Sequence, residues 1–117
     1  MAYQGPTGIF INNKFVKSVS GKEFPTINPS TGEVITKVAE GDEADVNLAV
    51  AAAETAFAKW KKTSPDRRSQ LLNKLANLVQ ENIEHLAKVE SLDNGMPYTI
   101  ALSVLTTTAL YYRFFHF

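Results

Sequence analysis

Cysteine is absent from this 117-residue chain. Disulfides, zinc sites built on thiolates and thiol nucleophiles are therefore excluded within it. An excess of charge is also absent, since 12 Lys and Arg balance 12 Asp and Glu. A neutral chain lacks the basic field on which non-specific nucleic-acid binding depends, so we expect no nucleic-acid partner. Hydrophobic residues make up 44% of the sequence, which is typical of a globular chain and not of a disordered one.

Targeting and membrane signals are also missing from the pattern. Residues 1–6 contain no basic segment followed by an apolar one, so we expect a cytoplasmic protein. The stretch 94–112 carries no charge, but a membrane span needs about 20 predominantly apolar residues. Pro97 and the three threonines at 106–108 interrupt it. We therefore expect a helix buried within protein and no membrane partner.

The first forty residues favour strands joined by turns. Short apolar runs at residues 8–11 and 14–16 flank the pair Asn12-Asn13, and Asn tolerates the positive φ of a tight hairpin turn. A second pair of extended runs, within residues 24–38, flanks a cluster of Asn, Pro, Ser, Thr and Gly. The pattern predicts two β-hairpins.

After Gly41 the apolar residues recur at the three- and four-residue steps of helices. The first predicted helix carries one apolar face, formed by Val46, Ala49, Val50, Ala53, Phe57 and Trp60. The second begins at Ser64, a capping residue, and stops at Asn94-Gly95. Its apolar face consists of Leu71, Leu72, Leu75, Leu78, Val79, Ile83, Leu86 and Val89. The third follows Pro97, and its face consists of Ala101, Leu105, Ala109 and Tyr112.

Side chains able to perform chemistry are few. His85 and His116 are the only histidines, and neither stands at metal-ligand spacing from another ligand. We interpret His85 as a surface residue. The glycines are scattered singly, without the G-x-G-x-x-G pattern of a dinucleotide site. The sequence therefore predicts no catalytic and no cofactor-binding residue in this chain.

A series of motifs follows in a fixed order along the chain. These are Phe10-Ile11-Asn12-Asn13, Asn28-Pro29-Ser30-Thr31-Gly32-Glu33-Val34-Ile35, Val38-Ala39-Glu40-Gly41-Asp42, Ala49-Val50-Ala51-Ala52-Ala53, Arg67-Arg68, Leu71-Leu72-Asn73-Lys74-Leu75-Ala76 and Glu90-Ser91-Leu92-Asp93-Asn94-Gly95-Met96-Pro97-Tyr98. The series closely resembles the N-terminal segment of the NAD(P)-dependent aldehyde dehydrogenases, particularly the class that oxidises general aliphatic aldehydes. The resemblance covers about residues 8–112. Met96 departs from it, because the family commonly has a lysine there.

The resemblance implies an α+β fragment, with N-terminal β-hairpins followed by three helices. This would be a single partial domain over residues 1–117, with a hairpin region at 8–40, a helical region at 41–112 and a non-family tail at 113–117. It would be part of the family's cofactor-binding domain without the Rossmann sheet. The NAD or NADP of the complete family, and its catalytic cysteine, glutamate and asparagine, would then belong to later sequence. We expect a truncated chain that is inactive by itself.

A further expectation comes from the resemblance. Many family members bind a structural monovalent cation through main-chain oxygens, and the matching positions here are Thr26, Ile27 and Asp93. Since a later residue completes that site, we expect the partial site to bind weakly. For Asp93-Asn94-Gly95, the alternative interpretation is simply a helix end. Two alternatives to an inactive truncated chain stay open. One is an interaction module that binds full-length aldehyde dehydrogenase subunits through its helical faces, and the other is a partial record of an active enzyme.

Overall fold

The computed structural model describes residues 3–114. The chain divides after Lys62 into two compact units, the first with both hairpins and one helix and the second with the remaining helices. The first unit contains β1 (Ile9–Ile11), β2 (Lys14–Val16), β3 (Glu23–Ile27), β4 (Val34–Ala39) and α1 (Glu43–Trp60). The second unit contains α2 (Pro65–Glu81), α3 (Ile83–Asn94) and α4 (Tyr98–Phe114). The predicted α+β class, with hairpins before helices, is confirmed.

The first hairpin forms where the Asn12-Asn13 pair predicts it. Both asparagines have positive φ, 51° and 61°, as the two central residues of a type I′ turn require. Strands β1 and β2 are antiparallel, and Phe10 lies opposite Phe15. Their rings are 4.9 Å apart between centroids and tilted, a geometry that favours aromatic pairs.

The second hairpin pairs β3 with β4 and is also antiparallel. Its turn is closed by Asn28, whose carbonyl accepts from the Gly32 amide at 2.8 Å and whose side chain accepts from the Ser30 amide at 2.9 Å. The register shifts between Thr26 and Ile27. Such a bulge interrupts the regular ladder of backbone hydrogen bonds.

Helix α1 is fixed at its beginning by a reciprocal cap. The Asp42 side chain accepts from the Ala44 amide at 2.9 Å, and Asp45 Oδ2 accepts from the Asp42 amide at 3.0 Å. The other oxygen, Asp45 Oδ1, accepts from the amide of Val19 at 3.0 Å, 26 residues away. Asp45 is only 3% exposed. One buried carboxylate therefore caps α1 and anchors the loop between the hairpins.

The apolar face of α1 lies outward. Val46, Val50, Phe57 and Trp60, which we call the outer stripe, are 46–60% exposed. Ala49 of the predicted face lies instead with Asp45 and Ala52 on a neighbouring side of the helix, and this side is the more buried one. Helix α1 is thus present as predicted. Its small residues are better buried than its large apolar ones.

The second predicted helix is wrong in one respect, because it is divided at Asn82 into α2 and α3. Ser64 caps α2 as expected, with its side chain accepting from the Arg67 amide at 3.2 Å. Asn82 leaves helical geometry at φ −110° and ψ 12°, and its side-chain nitrogen donates to the Leu78 carbonyl at 2.8 Å. Asn side chains compete with the backbone for such hydrogen bonds, which disfavours helix at their own position.

Alanines form the centre of the second unit. Ala76, Ala87, Ala101 and Ala109 are fully buried, whereas no large side chain among residues 3–114 is. Helix α4 packs against both α2 and α3, and its predicted face of Ala101, Leu105, Ala109 and Tyr112 is the buried or half-buried one. Small side chains at a contact allow helix axes to approach closely. The larger residues of the predicted α2–α3 face are consequently half-buried or exposed.

Polar groups of α4 are satisfied locally. The hydroxyls of Thr106, Thr107 and Thr108 each donate to the carbonyl four residues earlier, at 2.8–3.0 Å. This explains how three threonines in a row fit inside a helix. Across residues 3–114, none of the helices combines the length and the apolar character that crossing a membrane requires.

The end of α4 contacts α2 through Arg113. Its Nη2 donates to Asn77 Oδ1 at 2.8 Å and to Gln80 Oε1 at 2.7 Å. Arg113 and Phe114 thus belong to a helix, although the sequence places them at the start of the non-family tail. The rest of that predicted tail, including His116, lies outside the described residues.

Replacing Asp45 with Ala should lower the free energy of unfolding of the first unit by roughly 2 kcal/mol, because two backbone amides lose a charged, buried acceptor. Asp45→Asn should cost about half as much, since it keeps one acceptor oxygen. Urea unfolding followed by circular dichroism and by the single tryptophan, Trp60, measures both. Glu43→Ala, an exposed acid of the same helical turn, should change stability by less than about 0.5 kcal/mol. Equal effects of the Asp45 and Glu43 variants would contradict the anchoring role.

Candidate functional site

Within residues 3–114, the side chains able to perform chemistry are not gathered at one site. His85 is exposed on α3, as expected. Within residues 3–114, His, Asp and Glu side chains form no group of three that could hold a metal ion. Any cation site in this part of the chain would therefore depend on main-chain oxygens, which is the kind of site that the resemblance implies.

The first half of the candidate cation site lies at the end of β3. Thr26 is half-buried and Ile27 is 44% exposed. The register shift between them is the departure from regular pairing in this hairpin. The partners step from Thr36 to Val34, so the extra residue of the bulge is Ile35 on β4, and the bulge by itself frees no carbonyl of Thr26 or Ile27.

Asp93, the third residue of the expected cation site, lies in the last turn of α3. A helical carbonyl normally accepts from the amide four residues on, but residue 97 is proline and has no N–H. The Gly95 amide donates to the Ser91 carbonyl at 3.1 Å and the Met96 amide to Asn94 Oδ1 at 2.7 Å. The amides that could reach the Asp93 carbonyl are thus used elsewhere or missing.

The strands of residues 3–114 are not arranged as in a dinucleotide-binding sheet. A dinucleotide cofactor is held at the carboxyl edge of a parallel sheet, by a glycine-rich turn and a helix N-terminus. The strands in residues 3–114 instead form two separate antiparallel hairpins. Gly21, which has positive φ, lies in the loop between the hairpins, and Gly32, also with positive φ, lies in the turn that joins β3 to β4.

Asp45 is the one buried carboxylate of the described residues, and it lines an open groove together with Ile11, Val16 and Leu48. Both of its oxygens accept backbone hydrogen bonds. The lining residues of the groove include two lysines, Lys14 and Lys17, but no Ser, Thr, Cys or His. Its role is structural, and the Asp42-x-x-Asp45 spacing, which resembles a capping box, is the sequence signal that indicates it.

Comparison with known proteins extends these observations. The sequence profile described as "Aldehyde dehydrogenase family" matches residues 15–116. An aldehyde dehydrogenase of Alternaria alternata is 53% identical over 103 residues, which are 87% of this chain and 21% of that protein. The human mitochondrial aldehyde dehydrogenase is 52% identical over 99 residues, 82% of this chain and 19% of that protein. The chain thus spans about a fifth of the length of these relatives.

Solved structures give the same result. The NAD+ complex of an aldehyde dehydrogenase from Bacillus cereus superposes with a TM-score of 0.91 at 40% identity, over 96% of this chain and 23% of that one. The structure of PnpE in complex with nicotinamide adenine dinucleotide superposes with a TM-score of 0.93 at 36% identity, over 96% of this chain and 23% of that one. PnpE has also been solved from a Pseudomonas species.

The hairpins, the helices and the order of the motifs are all those of a partial domain of such enzymes. The chain belongs to the aldehyde dehydrogenase family and corresponds to a part of its length.

Proposed function

We propose that these 117 residues are a non-catalytic part of an enzyme that oxidises aldehydes to carboxylic acids with NAD or NADP. In this role they supply hairpins and helices that pack around a cofactor sheet built by other sequence. The outer stripe of α1 is the observation that carries the proposal. It presents four large apolar side chains to solvent, and a helix face of this kind stabilises a fold only when another surface covers it.

Chemistry supports the view that the chain is inactive by itself. Aldehyde oxidation in the family requires a thiol that attacks the carbonyl and a bound nicotinamide that accepts hydride. The sequence contains no cysteine, and the described fold offers no dinucleotide cradle. Asp45, its one buried carboxylate, is committed to backbone amides.

The purified chain, mixed with NAD or NADP and a range of aliphatic aldehydes, should form no reduced nicotinamide above the buffer background. Absorbance of the reduced cofactor measures this directly. The full-length Alternaria relative, assayed in parallel, provides the positive control. Reduced cofactor that increases with chain concentration and saturates with aldehyde would contradict the proposal.

A second candidate function is that of an interaction module that binds full-length aldehyde dehydrogenase subunits. The same outer stripe favours it, because exposed apolar patches commonly mark interaction sites. The two candidate functions differ in the protein that the chain would bind. A non-catalytic part of the fold needs a partner whose own corresponding segment is missing, whereas a separate module binds a complete subunit.

Size-exclusion co-elution with the Alternaria relative distinguishes the two candidates. We expect the chain to bind a version of the relative that lacks the matched 103 residues. Binding to the intact relative would favour the interaction module instead. Val50→Lys and Phe57→Lys should weaken binding at least about tenfold, because each places a charge in an apolar contact.

Ala51→Lys is the matched control for the stripe variants. Ala51 is exposed and neighbours Val50 but lies outside the outer stripe, so the same charge there should leave binding unchanged. Equal loss of binding in Val50→Lys and Ala51→Lys would exclude the outer stripe as the contact surface.

We also propose that Thr26, Ile27 and Asp93 supply main-chain ligands of a monovalent cation site that this chain only partly contains. Titration with NaCl or KCl, followed by NMR, should shift the amides next to these carbonyls weakly and without saturation. Choline chloride at the same ionic strength controls for salt effects. Saturable shifts specific to one cation would contradict weak binding.

The cytoplasmic location suggested by residues 1–6 stays a prediction. The human and horse relatives are named as mitochondrial enzymes. Cell fractionation with an antibody against this chain therefore decides between the two compartments.

A further inference from the structure

The end of α3 contains an Asn-Gly pair, Asn94-Gly95, and both residues are exposed. Asparagine side chains are chemically labile, and the labile route is attack of the following backbone nitrogen on the side-chain carbonyl carbon. In this chain the attacking atom would be the nitrogen of Gly95. Glycine has no Cβ to obstruct that approach.

The reaction balances with water as the only co-reactant. A bond forms between Gly95 N and Asn94 Cγ, the Cγ–Nδ2 bond breaks, and the amide proton of Gly95 leaves with the nitrogen as ammonia. The resulting five-membered succinimide then adds water at either of its carbonyls. The products are aspartate and isoaspartate at position 94.

In the folded chain, each reacting group already has a hydrogen bond. Gly95 N–H donates to the Ser91 carbonyl at 3.1 Å. Asn94 Nδ2 donates to Glu90 Oε1 at 2.6 Å, and Asn94 Oδ1 accepts from the Met96 amide at 2.7 Å. The nucleophile, the leaving group and the carbonyl oxygen are thus all held in place by the helix end.

One more hydrogen bond holds the end of α3 in place. Ser91 Oγ donates to the Met96 carbonyl at 2.6 Å, and Gly95 takes the left-handed conformation, φ 75°, that ends the helix. The distance from Gly95 N to Asn94 Cγ is set by ψ and χ1 of Asn94, which is the last residue of α3, so Asn94 must leave its helical conformation before these two atoms can meet. The helix end must therefore open before the ring can close.

We propose that Asn94 is a site of spontaneous deamidation, gated by opening of the C-terminal end of α3. The folded chain protects the site, and each opening event exposes it. The rate of deamidation therefore reports how often this helix end opens.

The product would prevent the original helix end from re-forming. A carboxylate at position 94 cannot donate to Glu90, and it adds negative charge beside Asp93 and opposite Glu90, one helical turn away. Negative charge at a helix C-terminus is also unfavourable to the helix dipole. Isoaspartate additionally lengthens the backbone, which is incompatible with the hydrogen bond from Gly95 to Ser91.

Trypsin gives a direct assay of the full chain. Cleavage after Lys88 and Arg113 releases a peptide in which Asn94 is the only Asn and no Gln is present. Any deamidation of that peptide therefore reports on Asn94. The chain is incubated in mildly alkaline buffer and sampled over time by mass spectrometry, with a synthetic peptide of residues 89–98 as the unfolded reference. We expect conversion in the folded chain to be at least about tenfold slower than in the synthetic peptide.

Variants of the two hydrogen-bonding partners test the gate. Glu90→Ala and Ser91→Ala should each speed conversion in the folded chain roughly two- to tenfold, as expected for the loss of one hydrogen bond. The same changes in the synthetic peptide should have little effect. Glu84→Ala, which removes an exposed acid of the same helix, should leave the rate unchanged.

Three outcomes would overturn the proposal. Equal rates in the folded chain and the synthetic peptide would exclude gating. A synthetic peptide that does not convert would exclude the site. Glu90 and Ser91 variants that convert no faster than the Glu84 variant would show that the hydrogen bonds at the helix end do not control the reaction.

Discussion

The rest of this structure depends on close packing through small residues. Four alanines form the fully buried centre of the helical unit, and the side of α1 with small residues is its better buried side. Burial of a Leu-sized side chain is worth about 1.5 to 3 kcal/mol, whereas alanine contributes much less. The chain therefore gains little from its own core and exposes its larger apolar residues. That pattern is typical of a layer within a larger fold, which agrees with a chain that matches about a fifth of its relatives' length.

Hydrogen bonds replace part of this missing apolar stabilisation at the joints of each unit. In the first unit, Asp45 connects the beginning of α1 to Val19 across 26 residues. In the second, Arg113 connects the end of α4 to Asn77 and Gln80. Both devices fix one end of a helix, where unpaired backbone groups or free side chains would otherwise allow fraying. The elements are thus held at specific points and not by a deep core.

Local chemistry made much of the fold predictable from sequence. The Asn12-Asn13 turn, the Ser64 cap and the Gly95 stop depend on neighbouring residues only, and each lies where the pattern indicates. The face of α4 was predictable because the buried residues Ala101 and Ala109 are also its regularly spaced apolar ones. In these places the local preference and the packed structure agree.

Features that depend on distant partners were not predictable in the same way. The break at Asn82 interrupts an apolar period that continues through it, at a residue whose side chain and backbone amide both donate to the Leu78 carbonyl. The second bond of Asp45 requires knowledge of a loop 26 residues earlier. The main-chain oxygens of Thr26, Ile27 and Asp93 leave no trace in side-chain chemistry, so only resemblance to a family indicates them.

The end of α3 shows how one local constraint can serve two purposes. Pro97 has no amide that could pair with the Asp93 carbonyl, so the helical ladder of hydrogen bonds ends there. The same turn requires Gly95 for its left-handed conformation, and that glycine makes the neighbouring Asn94 chemically vulnerable. The turn that ends the helix therefore also places the labile Asn94 side chain beside an unobstructed backbone nitrogen. Because a few hydrogen bonds hold this turn, whatever opens it exposes Asn94.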